Sequence, residues 1–261
     1  MMNLNEYNIS QIKSQIENIN VLDYPEYILL LKQDNRKGVN DLAATMERKY
    51  QSYIMEQIRI DKMKEYENRL VEQGYEYIVG VDEVGRGPLA GPVVSCAVVL
   101  PRDSNILYIN DSKKLSIAKR ESLFDEIKKD AISIGVGIVD EKVIDEKNIY
   151  QATKQSMKDA IDNLQISPEM VLIDAMQLES LQVPQRSIIK GDEKCYSIAA
   201  ASIIAKVIRD RMMDEYHNTY PNYHFNSNKG YGSKEHIDAI CEYGTCPIHR
   251  ISFLNKILAN A

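Results

Sequence analysis

Three runs rich in valine and isoleucine follow one another between residues 75 and 140, and they constrain the fold more than any other feature of this 261-residue chain. The runs cover residues 75–81, 92–101 and 131–140. Shorter apolar runs at 170–174 and 187–190 alternate with segments of helical periodicity. Neighbouring strands followed by strands that alternate with helices are typical of a mixed sheet flanked by helices. The sequence therefore predicts an α/β domain.

The residues before this region have helical periodicity only. We expect a first helix capped by Ser10 and ending near residue 20, a second over 25–33 and a long third over 38–72. A boundary at 73/74 then separates a helical N-terminal appendage, 1–73, from a main domain, 74–261. Within the main domain we expect helices over the ranges 113–129, 140–164, 193–216, 233–243 and 251–259.

The net charge of −6 is unevenly distributed along the chain. Residues 74–184 carry 12 Lys and Arg against 18 Asp and Glu, whereas residues 185–261 carry 10 against 8. An acidic protein is a poor match for nucleic acid, unless bound cations offset the acidic groups. The acidic excess lies in the central segment, where two divalent cations would offset four charges, so the net charge does not exclude a nucleic-acid partner.

Targeting and cysteine patterns suggest a cytoplasmic protein. No apolar run approaches the roughly 18 residues of a membrane span, and no secretory signal is evident. The cysteines (Cys96, Cys195, Cys241 and Cys246) form no C-x-x-C pair, which favours free thiols. Cys241, Cys246 and His249 are close in sequence, but their spacing fits no closed zinc site.

Carboxylates stand where the apolar strands end. Asp82 and Glu83 follow the first run, Asp174 ends the run at 170–174, and Asp192 precedes an alanine-rich helix. Taken singly, each has a purely structural alternative: Asp174 as a solvent-exposed strand end and Asp192 as a helix N-cap. Together the four side chains offer an oxygen-only set at the end of a sheet, which is typical of Mg²⁺ or Mn²⁺ sites.

The motif VDEVGRGPLAGPVV at residues 81–94 closely resembles the opening motif of the ribonuclease HII family. Further matching segments follow in the same order as in the family. They are residues 110–115, 172–174, 190–192, 199–206, 229–232, 247–250 and 252–253. The resemblance covers about 75–255, and Gly85-Arg86-Gly87 is typical of the HII type and not of the sister type, ribonuclease HIII.

This resemblance implies an RNase H-like fold, with a five-stranded mixed sheet flanked by helices and a C-terminal helical extension. It also implies an endonuclease that hydrolyses the phosphodiester 5′ to a ribonucleotide, in RNA/DNA hybrids and in DNA duplexes with embedded ribonucleotides. Two divalent ions, Mg²⁺ or Mn²⁺, would support the reaction, and the products would carry 3′-hydroxyl and 5′-phosphate ends. We expect a monomer with no membrane partner.

The family's site residues transfer onto matching positions. Asp82, Glu83, Asp174 and Asp192 match its metal-binding and catalytic carboxylates. The remaining matches are implied to bind substrate: Gly85, Arg86, Gly87, Ser112, Lys113, Lys114 and Tyr231. The glycine loop would read the 2′-hydroxyl of the ribonucleotide, Tyr231 would lie against the sugar, and residues 112–114 would lie near phosphates.

Several alternatives stay open at this stage. Lys206 and Arg209 suit phosphate contacts or pairing with Asp210 equally well. The appendage either packs as a plain helical unit or grips substrate or a partner. Rival functions are a non-catalytic duplex-binding protein of the same fold and a dinucleotide-binding enzyme, although the glycine spacing departs from G-x-G-x-x-G and no helix is evident after Pro88.

Overall fold

The computed structural model describes residues 4–258, which pack as two compact units, Met1–Asp61 and Lys62–Ala261. The first unit is helical. Its helices are α1 (Ile9–Ile16), α2 (Tyr24–Leu31) and α3 (Lys37–Met63), the last of which continues past the division. Their apolar faces form one core made of Leu4, Ile12, Ile16, Ile28, Leu31, Val39, Ala43 and Met46.

Helix α1 begins earlier than predicted, because Asn8 and not Ser10 caps it. The Asn8 side chain accepts a hydrogen bond from the Gln11 backbone N–H at 2.9 Å, and the Gln11 side chain accepts one from the Asn8 N–H at 2.9 Å. This reciprocal capping box satisfies two backbone donors that the helix itself leaves unpaired. The prediction of Ser10 as the cap was wrong.

The predicted helix over 38–72 is divided at Lys64, and its last part belongs to the second unit. Helix α4 (Glu65–Glu72) buries Leu70 in a core with Ile78 and Leu172. The compact units therefore divide at 61/62, ahead of the predicted boundary at 73/74, because the apolar face of α4 packs on the sheet region.

The second unit is built on five strands: β1 (Ile78–Val84), β2 (Val93–Val99), β3 (Ser133–Val139), β4 (Met170–Asp174) and β5 (Gln185–Ile188). Their order in the sheet is β3-β2-β1-β4-β5. Strands β1, β2 and β3 pair antiparallel, whereas β1, β4 and β5 pair parallel. The carboxyl ends of β1 and β4 consequently meet at one edge of the sheet.

The two faces of this sheet are covered by α7 (Ile149–Asp162) and α9 (Tyr196–Thr219). The unit also contains α5 (Ile117–Asp130), α6 (Glu141–Lys147), α8 (Gly191–Lys194), α10 (Phe225–Asn228), α11 (Lys234–Tyr243) and α12 (Ile251–Leu258). The single helix predicted over 140–164 is two helices, because Asn148 has a φ of 72° that interrupts it and then caps α7. No helix in the described part of the chain is long and apolar enough to cross a membrane.

Strand β1 separates the two helical layers. Val79 and Val81 pack with Met157 and Ala160 of α7. Gly80, which points to the opposite face, approaches α9 so closely that a Cβ would lie 2.1 Å from the Ser197 carbonyl carbon. Asp82 shares the Gly80 face, so its carboxylate lies on the α9 side of the sheet. The predicted mixed α/β fold with its C-terminal helices is confirmed.

Candidate active site

Asp82, Asp174 and Asp192 converge at the carboxyl ends of β1 and β4. One oxygen from each of the three lies within 4.8 Å of the other two, and no other such group of three or more His, Cys, Asp or Glu side chains occurs within residues 4–258. Asp82 lies in β1 and Asp174 ends the adjacent parallel strand β4, each directly after the paired residues Val81 and Ile173, so sheet pairing alone brings the two aspartates close. The third comes from α8, more than a hundred residues after the first in the sequence.

A backbone contact places Asp192 next to Asp174. The Asp174 Oδ1 accepts a hydrogen bond from the Gly191 N–H at 2.7 Å, which ties the end of β4 to the start of α8. Asp192 makes no capping hydrogen bond, because Lys190 occupies the N-cap position in a left-handed conformation. The interpretation of Asp192 as a helix cap is therefore wrong, and its carboxylate is left beside the other two.

The environment disfavours negative charge on these groups. Asp82 is only 5 % exposed; burial, and then the charges of Glu83 and Asp174, raise its pKa well above the usual value. Burial also raises the pKa of Asp174 and of Asp192, and in Asp192 the charge of Asp174 adds to the effect. Carboxylates held this closely repel one another unless cations or protons offset their charge.

Glu83 is adjacent to the cluster and incompletely paired. Its Oε1 faces Arg86 at 3.3 Å, and its Oε2 is buried without a hydrogen-bond partner. Burial raises the pKa of Glu83, with Arg86 acting against this rise. A buried carboxylate oxygen with no donor is costly and matches the needs of a hard cation. The donor set, four carboxylates with one orphaned oxygen, fits a divalent ion such as Mg²⁺ or Mn²⁺.

The segment 112–114 lies beside the cluster, and its three residues differ in their surroundings. Ser112 is buried, and its hydroxyl lies 3.0 Å from that of Ser202, which itself hydrogen-bonds to Asp82. Although burial acts against it, the charges of Asp111, Asp82 and Asp192 raise the pKa of Lys113. Lys114 forms an exposed ion pair with Glu193 at 2.8 Å. Lys113 is thus the cation of this segment that the carboxylates attract.

The glycine-rich turn and Tyr231 come together, although they are far apart in sequence. Tyr231 Cε1 lies 3.7 Å from the position that a Cβ on Gly87 would take. Gly85 has a φ of +96°, and a Cβ there would lie 2.3 Å from the Arg209 Nε, so only glycine fits. Arg86 and Gly87 are exposed, between the buried residues Gly85 and Pro88. The turn therefore presents its tip beside an aromatic ring.

The sequence left the uses of Lys206 and Arg209 open, and the structure assigns both to internal contacts. Lys206 pairs with Asp210 at 2.6 Å. Arg209 is fully buried and donates to the carbonyls of Pro92, Ala90 and Lys229 at 2.9, 3.1 and 2.9 Å. Arg209 is therefore not available to phosphate.

Sequence reasoning gave no role to Ser202 or Arg250. Ser202 lies in the alanine-rich segment and reaches Asp82; Arg250 is fully buried behind the glycine-rich turn. The only signal for either was its place in a family motif. The burial of these two side chains depends on packing between residues far apart in sequence, which the motif does not reveal.

A histidine pair lies behind Tyr231. The Nε2 atoms of His236 and His249 are 3.0 Å apart, His236 Nδ1 lies 2.8 Å from the Tyr231 carbonyl, and His249 Nδ1 accepts from the Cys246 N–H at 2.9 Å. One hydrogen placement satisfies this chain: His236 donates to Tyr231, and His249 donates to His236. All four ring nitrogens have protein partners.

Two protein-family models match the chain. The model described as Ribonuclease HII covers residues 79–256, and the model described as Ribonuclease HII N-terminal domain covers residues 8–71. The first match includes the carboxylate cluster, the glycine-rich turn, Tyr231 and Arg250. The second covers most of the predicted appendage.

Named relatives match over nearly the whole length. Ribonuclease HII of Listeria monocytogenes serotype 4b (strain F2365) is 52% identical over 245 residues, covering 94% of this chain and 93% of the relative. Ribonuclease HII of Clostridioides difficile (strain 630) is 48% identical over 255 residues, covering 98% and 100%. The crystal structure of the ribonuclease H2 from Pyrococcus horikoshii OT3 superposes with a TM-score of 0.59 at 28% identity, covering 70% of this chain and 97% of that one. The chain belongs to the ribonuclease HII family of endonucleases.

Proposed function

We propose that this protein hydrolyses the phosphodiester on the 5′ side of a ribonucleotide, in RNA/DNA hybrids and in DNA duplexes with embedded ribonucleotides. The products are a 3′-hydroxyl and a 5′-phosphate. The observation that carries the proposal is the convergence of Asp82, Asp174 and Asp192 within 4.8 Å, a short distance along β1 from a glycine-rich turn.

Asp82, Glu83, Asp174 and Asp192 are the residues that would hold two Mg²⁺ or Mn²⁺ ions. Ions bound there would stabilise charge on the attacking and leaving oxygens of phosphoryl transfer. The chain's own residues prepare the site: the Ser202 hydroxyl orients Asp82, and the Gly191 N–H orients Asp174. The orphaned Glu83 Oε2 supports a role as a further ligand.

The glycine-rich turn, Tyr231 and Lys113 would recognise the substrate. The exposed tip, Arg86 and Gly87, lies beside the Tyr231 ring, so a sugar seated there would meet backbone groups and an aromatic face. Backbone donors and acceptors suit the 2′-hydroxyl, which is both a donor and an acceptor and distinguishes RNA from DNA. Lys113 supplies a positive charge beside the cluster, where a phosphate would pass.

The rival functions have less support. A dinucleotide site needs a helix to open after the glycine turn, whereas here the turn leads into β2. A non-catalytic duplex-binding protein would not require three aspartates held together at the cost of mutual repulsion. Neither rival accounts for the buried oxygen of Glu83.

The test uses duplexes with zero, one or four ribonucleotides, incubated with the protein and Mg²⁺ or Mn²⁺. We expect no cleavage of all-DNA duplex, and cleavage 5′ to a ribonucleotide in the other two. Mapping of the ends should give 3′-hydroxyl and 5′-phosphate groups. Ends bearing a 2′,3′-cyclic phosphate would contradict the proposal, since they require the 2′-hydroxyl as the nucleophile.

A further inference from the structure

Arg250 is enclosed by the glycine-rich turn and the residues that follow it. Its Nε donates to Gly91 O at 2.9 Å, Nη1 to Arg86 O and Pro88 O at 3.1 and 2.9 Å, and Nη2 to Gly85 O and Gly91 O at 2.6 and 2.7 Å. These five bonds use all five N–H donors of the guanidinium. The Arg250 backbone N–H adds a bond to Leu89 O at 2.9 Å.

The second buried arginine completes this set of contacts. Arg209 donates to the carbonyls of Ala90 and Pro92, which accept no hydrogen bond from Arg250. Within the described residues, Gly87 carries the one carbonyl between 85 and 92 that accepts from no protein donor. Gly87 is also exposed and lies against Tyr231.

Burying a guanidinium costs desolvation free energy, which hydrogen bonds to its donors only offset. A turn without a buried arginine would not carry this cost. The cost is visible in the pKa of Arg250, which burial lowers to about 9. The planar guanidinium of arginine has donors in fixed directions, so it can hold several carbonyls in one fixed arrangement. Lysine is a point charge on a flexible side chain and does not do this. The carbonyls on either side of Gly87 are therefore turned inward.

We propose that Arg250 is a positioning residue for substrate discrimination: it holds the carbonyls around Gly87 inward, so that among the carbonyls of residues 85–92 only that of Gly87 is left to face the sugar. The inference rests on the proposed function, because it assumes that the turn contacts a ribonucleotide. Arg250 itself is buried behind the turn and touches no substrate. It affects discrimination only by fixing the backbone conformation of residues 85–91.

The test compares Arg250→Lys with the wild type. Lysine keeps the charge but has three donors instead of a five-donor fork. We expect kcat/KM on a duplex with one ribonucleotide to fall by about 100-fold, the scale of a misplacement of about 1 Å in a reacting complex. Affinity for all-DNA duplex and for Mn²⁺, measured by fluorescence anisotropy and by calorimetry, should stay unchanged. Amide hydrogen exchange of the peptide spanning 85–91 should become faster.

Met157→Ala serves as the matched control, because Met157 is buried on the α7 face of the sheet, away from the turn. It should lower the melting temperature and leave kcat/KM unchanged at temperatures where the protein is folded. If Arg250→Lys is destabilised to the same extent and loses no more activity than Met157→Ala, Arg250 is only structural and the inference is overturned. A folded Arg250→Lys protein with wild-type kcat/KM overturns it equally.

A milder variant covers the case in which Arg250→Lys does not fold. The half-buried Phe253 ring lies 5.3 Å from the Arg250 guanidinium, so Phe253→Leu loosens the arginine without removing its donors. A smaller loss of kcat/KM, with unchanged all-DNA binding, supports the inference; a wild-type rate overturns it. If the wild type cleaves no ribonucleotide-containing duplex, the proposed function fails, and the exchange rate of 85–91 still reports whether Arg250 holds the turn.

Discussion

The Glu67 carboxylate accepts hydrogen bonds from both the backbone N–H and the hydroxyl of Ser197, at 2.8 and 2.7 Å. Ser197 is the second residue of α9, and the same helix carries Ser202, which bonds to Asp82. A residue that the sequence places in the N-terminal appendage thus caps the helix that supports the carboxylate cluster. Because a cap satisfies amide groups that the helix leaves unpaired, this contact stabilises α9.

Replacing Glu67 tests the cap directly. We expect Glu67→Ala to lower the free energy of unfolding by about 1–2 kcal/mol, the usual cost of losing an N-cap. Urea denaturation measures the change. Glu65→Ala is the control: Glu65 is on the same helix but pairs only with exposed Arg69, so its loss should cost less than about 0.5 kcal/mol. Equal effects of the two variants would contradict a capping role.

Two truncated chains separate the roles of the N-terminal helices. A chain starting at Lys62 keeps Glu67 and Leu70, so it should fold and cut at the same positions as the full-length protein. A chain starting at Gly74 loses both contacts; burial of a leucine alone is worth about 2–5 kcal/mol, so this chain should be clearly less stable. Thermal unfolding distinguishes the two, and equal stability would show that α4 adds nothing to the catalytic unit.

The same Lys62 chain tests whether the N-terminal segment grips the substrate, one of the alternatives that the sequence left open, and so adds affinity for duplex. Basic side chains such as Lys37, Arg48 and Lys49 would reach phosphates, whereas Arg36 is committed to Asp34 at 2.6 Å and to the carbonyls of Leu4 and Tyr7. Removal of residues 1–61 should weaken binding and make its dependence on salt shallower. Unchanged affinity and salt slope would mean that the segment serves stability or a protein partner.

The carboxylates should be required for turnover and not for folding. We expect Asp82→Asn and Asp174→Asn to reduce kcat by several orders of magnitude, because each removes a charged oxygen ligand from the proposed ion site. Their melting temperatures without metal should not fall, since each change relieves repulsion in the cluster. Asp162→Asn, which alters only an exposed pair with Lys158, is the matched control. Near-normal turnover of Asp82→Asn would overturn the assignment.

Tyr231 should affect discrimination more than affinity. Tyr231→Ala removes the ring beside Gly87, so cleavage at a single embedded ribonucleotide should fall more than binding to all-DNA duplex does. Tyr243→Ala removes another exposed tyrosine and should alter neither. If Tyr231→Ala weakens binding to all-DNA and ribonucleotide-containing duplexes equally, Tyr231 is a generic contact.

The histidine pair should make stability depend on pH in the acid range. Burial, and then the neighbouring His236, lower the pKa of His249 to about 4 from 6.5. As the pH falls from 6.5 towards 4, the unfolded chain takes up a proton on this residue before the folded protein does, so the free energy of unfolding decreases. Above 6.5 the contribution is fully present. His249→Gln should therefore show a shallower loss between pH 6.5 and 4 than the wild type or the control His217→Gln.

The sequence by itself determined the strands of the sheet and the positions of the carboxylates. Runs of β-branched residues form strands wherever they are buried, and Asp82 and Asp174 lie at the ends of such runs. Gly85, Arg86, Gly87 and Tyr231 were found from linked motifs, and the structure places Tyr231 against Gly87. The strands and the carboxylates at their ends depend on neighbouring residues. The turn and Tyr231 belong to motifs that can be identified from their order along the chain.

Only the tertiary structure decided where the charged side chains are buried. Arg250 binds carbonyls about 160 positions earlier in the chain, and Glu67 caps a helix about 130 positions later. In sequence, each looks like an ordinary surface charge, because propensity and periodicity describe neighbours a few residues apart. Burial of a charge is stable only when folding brings distant donors and acceptors to it. The packing of α4 and the fixed shape of the glycine-rich turn both depend on those long-range contacts.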